Sequence, residues 1–289
     1  MWGIDVSKHN GGIDWKKVKE SGCGFAIIRA GFGMYEAQTD EQFLNNVNGC
    51  MENNIPFGIY WFSYASSAAD ALKEAQVCEK VISPYLSAIS LPIFYDFEYD
   101  SDDYAYNKNG QKLTSPERTN IIYTFCNYFK EKGIKIGYYT NKDYYTSKLL
   151  PTKLPFTLWL AQYNENAPEY NAALVQRKST SKIPGIYGAV DYNENISLDI
   201  EKSFISDTTN DEKSPVKIEK YSHYTIKITG EDVELICGVS SPPSPQFAVI
   251  RCRREGYSTF WHVVAIGDKG NQAGIYVNGG PRVCVCEVV

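Results

Sequence analysis

Apolar and polar positions fall into two regimes along the chain. Over roughly the first 200 residues, short apolar, β-rich runs recur at 3–7 (GIDVS), 25–32 (FAIIRAGF), 56–65 (PFGIYWFSYA), 91–100 (LPIFYDFEYD), 134–141 (IKIGYYTN), 157–163 (TLWLAQY), 173–179 (ALVQRKS) and 189–193 (AVDYN). The segments between most of them carry helix-end chemistry. Thr39 with Gln42 resembles a capping box, and Ser115 before Pro116 reads as an N-cap followed by proline at the first helical position. Gly22 and Gly133 follow DWKKVKES and ERTNIIYTFCNYFKEK, where a glycine ends a helix in the left-handed conformation. Strands alternating with helices predict βα units, and eight strands predict an α/β fold of the TIM-barrel kind. The helical pattern fades after residue 150, so the expected barrel is irregular and lacks some outer helices.

The second regime starts beyond a polar, proline-containing stretch at 206–216, which has the composition of a linker. From 217 to 289 the runs YTIKIT, VELICGV, FAVIRCRR, TFWHVVAIG, AGIYVN and RVCVCEVV have strand length and are separated by turn-forming residues. They predict a second, small all-β domain after a first domain at 1–205. The charge balance changes with the pattern: Lys+Arg to Asp+Glu is 20 to 24 over 1–205 and 8 to 7 over 217–289. Tyr257, Phe260, Trp261 and Tyr276 are candidate surface aromatics of the small domain, some of them needed for its core.

Composition removes several classes of function. A net charge of -5 and a pI near 5.4 argue against nucleic acid as a partner. No window of about 18 apolar residues is present, which argues against a membrane span. The start MWGIDVSKHNGG has no basic segment, apolar stretch or cleavage site of a secretory leader, so the expected product begins in the cytoplasm. The eight cysteines lack paired CxxC spacing and only three histidines accompany them, so neither a metal nor a cofactor is expected. Most of the cysteines read as reduced, small apolar residues, with bridging open among Cys237, Cys252, Cys284 and Cys286. His9, beside Asn10 and Gly11, has no Cys or Ser partner for a triad and reads as structural.

The chemistry is carried by acids on apolar strands. Asp96 and Glu98 end the fourth run two positions apart, which points both to one side about 6.6 Å apart along the chain. Asp5 on the first strand and Asp191 on the last present an acid in the same way, and first and last strands are neighbours in a closed barrel. Four acids are therefore expected at the C-terminal barrel mouth, where burial and like charge raise at least one pKa. A carboxylic acid held protonated beside ionised carboxylates suits glycoside hydrolysis. Aromatic residues at the same strand ends, Tyr60, Phe62, Tyr139, Trp159 and Tyr163, are the expected sugar-stacking surfaces.

At these residues the chain resembles the lysozymes of glycoside hydrolase family 25, the N-acetylmuramidases of bacterial autolysins and phage endolysins. The resemblance runs from Gly3 to about Asn193 through GIDVSKHNGGIDWKKVK, GIYWFSYA, FYDFEYDS, IGYYTN, LWLAQY and PGIYGAVDYN. It implies an irregular β/α barrel without metal, cleaving with retention the β-1,4 bond between N-acetylmuramic acid and N-acetylglucosamine of bacterial peptidoglycan. It places Glu98 on the general acid/base and Asp96 on the residue that orients the substrate's N-acetyl group, the internal nucleophile. Asp5 and Asp191 fall on the two supporting acids. One departure is Val175-Gln176-Arg177-Lys178-Ser179, where relatives carry Trp-Gln-Tyr-Ser. The resemblance stops near residue 205, and a cell-wall polymer is the expected ligand of the C-terminal domain. An endolysin would collect in the host cytoplasm before reaching the wall. A lectin-like wall binder without turnover and a chitin-type hydrolase are the alternatives.

Overall fold

Eight strands close into one barrel: β1 (Trp2–Val6), β2 (Phe25–Phe32), β3 (Phe57–Phe62), β4 (Ile93–Asp96), β5 (Ile136–Asn141), β6 (Thr157–Ala161), β7 (Leu174–Ser181) and β8 (Val190–Asn195). The computed structural model describes residues 1–110, 112–199, 215–229, 234–238, 246–255, 258–277 and 282–289. The expected linker, through residue 214, and Tyr257 lie outside them. The chain divides into two compact units, Met1–Val81 with Ile89–Glu201, and Ile82–Ala88 with Lys202–Val289.

In the barrel, β1 to β7 run parallel in sequence order, whereas β8 is antiparallel to both β7 and β1. Helices α1 (Trp15–Glu20), α2 (Phe43–Glu52), α3 (Ala68–Ile82), α4 (Tyr99–Asn109), α5 (Ser115–Lys130) and α6 (Lys142–Ser147) follow the earlier strands. No helix joins β6 to β7 or β7 to β8, so the helices thin out as expected. Two caps differ from the sequence reading. Gln42, not Thr39, is the residue before α2 and brings no side-chain cap; its amide donates to Asp40 Oδ1 at 2.9 Å. Thr114, not Ser115, precedes α5, and its amide and hydroxyl both donate to Glu117 Oε2 at 2.7 Å. Pro116 then falls at the second helical position, where the N–H it lacks would have had no partner within the helix.

The period-two alternation sorts side chains between lumen and helices. Phe25 and Ile27 of β2, Phe94 of β4, Tyr139 of β5, Trp159 and Ala161 of β6 and Leu174 of β7 pack together inside the barrel. Gly3 and Gly137 make this packing possible, because a Cβ there would fall 2.6 Å from the Phe25 ring and 2.7 Å from the Phe94 ring. On the opposite parity, Trp61, Tyr95, Phe97 and Tyr138 are buried on the outer side of the strands. Full burial of side chains of this size contributes roughly 2–3 kcal/mol each, so the strand parity is strongly fixed.

The second unit holds two antiparallel-rich sheets. One has the order β10 (His223–Thr229), β13 (Ser258–Ala265), β12 (Phe247–Glu255); the other β11 (Leu235–Cys237), β14 (Gln272–Val277), β15 (Arg282–Val288), β9 (Val216–Ile218). Ile226, Phe247, Trp261 and Val263 from the first pack with Ile218, Leu235, Ile275 and Val288 from the second into a core of their own. Phe260 and Trp261 are buried, which corrects their reading as surface aromatics: Trp261 points into the core between the sheets, and Phe260, on the other face of the strand, lies under the Arg253 and Lys227 side chains. All eight cysteines are free thiols. Among the described residues no helix is long and apolar enough to cross a membrane.

Candidate active site

The lumen parity that places Phe94 inside the barrel places Asp96 there too, one pleat nearer the mouth. β4 ends at Asp96. The chain stays extended for two more residues, with Phe97 fully buried outside and Glu98 at φ -148°, ψ -164° as the residue before α4. Asp96 and Glu98 thus share a side, as the spacing predicts, but Glu98 stands on a helix start and not on the strand. Its amide donates to Ser101 Oγ at 3.3 Å, which turns the chain into α4.

Asp191 reaches the same mouth by a different route from the one expected. Because β8 is antiparallel, its beginning, not its end, lies at the C-terminal ends of the parallel strands, and Asp191 pairs directly with Asp5 of β1. Asp5, Asp96, Glu98 and Asp191 line one cleft of about 290 Å³.

The cleft is electrostatically loaded. Burial, then the charge of Asp191, push the Asp5 carboxyl up to about 8, against hydrogen bonds from Asn193 and Gln176 that favour its ionised form. Burial, then the neighbouring Glu98 and Asp5, hold Asp96 well above the usual carboxylate range, while Arg29 pulls the other way. Glu98 is pushed up to about 7 by burial and by the charges of Asp100 and Asp191, and burial pushes Asp191 up to about 6. Near neutrality Glu98 therefore still carries a proton over part of the population, the requirement for a general acid.

All five predicted aromatics line the cleft, in two roles. Tyr163 is 61% exposed at the rim. Tyr139 and Trp159 are 7% and 2% exposed and pack at 4.6 Å between ring centroids, forming the floor. Tyr60 packs edge-on against Trp159, and Phe62 lies farther out. Composition and spacing do not reveal Arg29, Gln176 and Asn193. Gln176 Nε2 and Asn193 Nδ2 donate to Asp5 Oδ2 at 3.0 and 2.7 Å, Gln176 Oε1 accepts from the Tyr139 and Tyr163 hydroxyls, and Trp159 Nε1 donates to Asn193 Oδ1 at 2.9 Å. Floor, rim and Asp5 are thus one network. Arg29 reaches back to Asp40, Nε to Oδ2 at 2.6 Å, while Asp96 Oδ1 is buried without a partner. Each of the three lies at lumen parity on its strand, which is the signal that could have found it. Among the described residues no group of three or more His, Cys, Asp and Glu is arranged to hold a metal ion.

The family model for glycosyl hydrolases family 25 matches residues 4–186. An autolytic lysozyme of Clostridium acetobutylicum is 26% identical over 196 residues, 67% of this chain and 55% of the relative. The modular autolysin LytC of Streptococcus pneumoniae, also solved in complex with a synthetic peptidoglycan ligand, is similar at a TM-score of 0.58 and 27% identity, over 66% of this chain and 46% of LytC. The spore cortex lytic enzyme SleM of Clostridium perfringens is similar in fold over 96% of this chain and 91% of its own at a TM-score of 0.57 and 18% identity. The chain spans about half the length of the first two relatives.

Proposed function

The chain belongs to glycosyl hydrolases family 25, and on that premise we propose that its barrel is a muramidase, cleaving the β-1,4 bond between N-acetylmuramic acid and N-acetylglucosamine in bacterial peptidoglycan. The observation that carries this reading is Glu98, a half-buried carboxylic acid pushed up to about 7 at the rim of a cleft that also holds Asp5, Asp96 and Asp191. Glu98 donates its proton to the leaving oxygen and later takes one from water. Asp96 and Glu98 leave the same strand end on the same side, so they do not flank a sugar from opposite faces as an acid and a protein nucleophile must. The substrate's own N-acetyl oxygen attacks the anomeric carbon instead, and Asp96, whose Oδ1 lacks a protein partner, orients that group and balances the positive charge that develops on it. Asp191, pushed up only to about 6, sustains the negative field of the cleft, while Asp5, held by Gln176 and Asn193 and pushed up to about 8, keeps a proton there near neutrality.

The second unit, with its own core, binds a polymer of the bacterial wall and holds the barrel against its insoluble substrate. The relatives' names, an autolytic lysozyme and an autolysin, support action at the cell wall. The test is reducing-sugar release from purified peptidoglycan and from chitin oligomers. Release from peptidoglycan with little from chitin is expected. Wall pelleting with no release from either would make the protein a lectin-like binder.

A further inference from the structure

A second cavity of about 520 Å³ adjoins the acid cleft, sharing Arg29 and Phe62 with it. Its floor is aromatic: Tyr64 and Tyr104 stack at 4.1 Å between centroids, and Phe32 and Phe62 meet Tyr64 edge-on at 5.4 and 5.5 Å. The floor is built, not incidental, because the Tyr64 amide donates to the buried Glu74 Oε1 at 2.7 Å. The two edges carry opposite charge. Lys8 and His9, on a short 3-10 turn tied down by the Lys8 amide donating to Asp40 Oδ2 at 3.1 Å, stand with Arg29 of β2 on one side. Lys8 Nζ also pairs with the exposed Glu41 at 2.8 Å, and Arg29 Nε with Asp40. On the other, Asp100 and Asp103 lie three apart on α4, exposed and without an ion pair among the described residues.

A neutral sugar ring has no use for charges of both signs. The lactyl group of muramic acid carries a peptide that has both: carboxylates, and one free amine where the third residue is an unlinked diamino acid. Three extended residues span about 10 Å, and a cavity of this size accommodates a ligand of that order. Resting on the muramidase reading above, we infer that this cavity is a binding site for the uncrosslinked stem peptide of the muramoyl residue beside the cut bond. Carboxylates of the stem lie against Lys8, His9 and Arg29, its apolar methyl and methylene groups on the Tyr64 and Tyr104 floor, and its free amine between Asp100 and Asp103. The enzyme then prefers strands whose stems are present and uncrosslinked, since a crosslink turns the amine into an amide and removes its charge.

The test compares three soluble substrates with the full chain: glycan strands with stems, the same strands with stems removed by an amidase, and stem-bearing strands with the free amine acetylated. Stem-bearing strands should show a kcat/KM about tenfold above the stripped ones, and acetylation or the double variant Asp100→Asn with Asp103→Asn should erase most of that ratio. Equal kcat/KM on stripped and stem-bearing strands would overturn the inference, as would a double variant that keeps the parent's ratio between them; the ratio cancels any common slowing caused by removing the Asp100 charge beside Glu98. If no strand is cut, the muramidase reading fails by itself, and fluorescence titration of the full chain with a free stem tetrapeptide decides. Binding that the double variant loses upholds the site, and no binding removes it.

Discussion

Asp5 on β1 and Asp191 on β8 stand directly opposite each other in antiparallel register at the barrel mouth. Like charges in such a pair destabilise a sheet, and the chain keeps both where a neutral residue would be easier to fold. The cost shows in Asp5, which is pushed up to about 8, first by burial and then by Asp191.

The sign of the resulting pH dependence is fixed. A carboxyl raised from 3.8 to about 8 on folding leaves the folded state holding a proton that the unfolded state releases, so stability falls as pH climbs between those values. The slope is at most about 1.4 kcal/mol per pH unit for one group. Replacing Asp191 by Asn removes the opposing charge, lowers the Asp5 pKa and flattens the fall. Thermal melts from pH 5 to 8 should show the variant gaining on the parent as pH rises, while its turnover drops. A variant equally destabilised at every pH would assign Asp191 a structural role instead.

For Glu98→Gln, shape is kept and the proton is lost. Turnover should fall by about 10²- to 10⁴-fold with the melting temperature within a few degrees of the parent. In the parent, the rate should decline on the alkaline side with a midpoint near 7, where Glu98 ionises. Asp96→Asn should be comparably impaired without shifting that alkaline midpoint upward.

Glu74 is the second buried acid with a readable consequence. Burial pushes it up to about 8 against hydrogen bonds from the Tyr95 hydroxyl and the Tyr64 amide. Glu74→Ala orphans both donors and should cost about 2–5 kcal/mol, read as a shift in denaturant midpoint. Glu74→Gln should remove part of the loss of stability between pH 5 and 8. A pH profile unchanged by Glu74→Gln would mean that the carboxyl does not titrate in that window.

Much of this was legible in the sequence. Eight apolar runs give eight barrel strands, and the parity of Asp5, Asp96, Glu98 and Asp191 within their runs is enough to gather them. Strand direction is not written in alternation, so β8 read as one more parallel strand. The connection 182–189 held the missing signal: a parallel crossover needs a dozen residues or more, and this loop is too short and too rich in glycine and proline to provide it. Glu74 interrupts the buried stripe Ala71, Ala75, Cys78 of α3, and an acid in an apolar stripe marks a partner brought in by tertiary structure. Gln176 sits in the very stretch that departs from the family pattern, yet it retains its bonds to Asp5, Tyr139 and Tyr163; the loss of neighbouring aromatics leaves this anchor in place.

Removing the second unit should separate recruitment from chemistry. Linking a weak wall-binding site to the barrel raises its effective concentration at the wall. Residues 1–205 alone, which keep Ile82–Ala88 but none of the described strands of the second unit, should cut soluble wall fragments at nearly the parent rate and lyse whole cells more slowly. Full lytic rate from the truncated chain, together with no wall binding by a 217–289 fusion, would assign the second unit a packing role.

The bond that is cut tests the account most directly. Purified peptidoglycan is digested, the new reducing ends are reduced with borohydride, and the muropeptides are identified by mass spectrometry beside a Glu98→Gln control. The expected products end in reduced N-acetylmuramic acid and are missing from the control. Products ending in reduced N-acetylglucosamine, or the same products at the same rate from the Glu98→Gln chain, would contradict the assignment of the bond or of its acid.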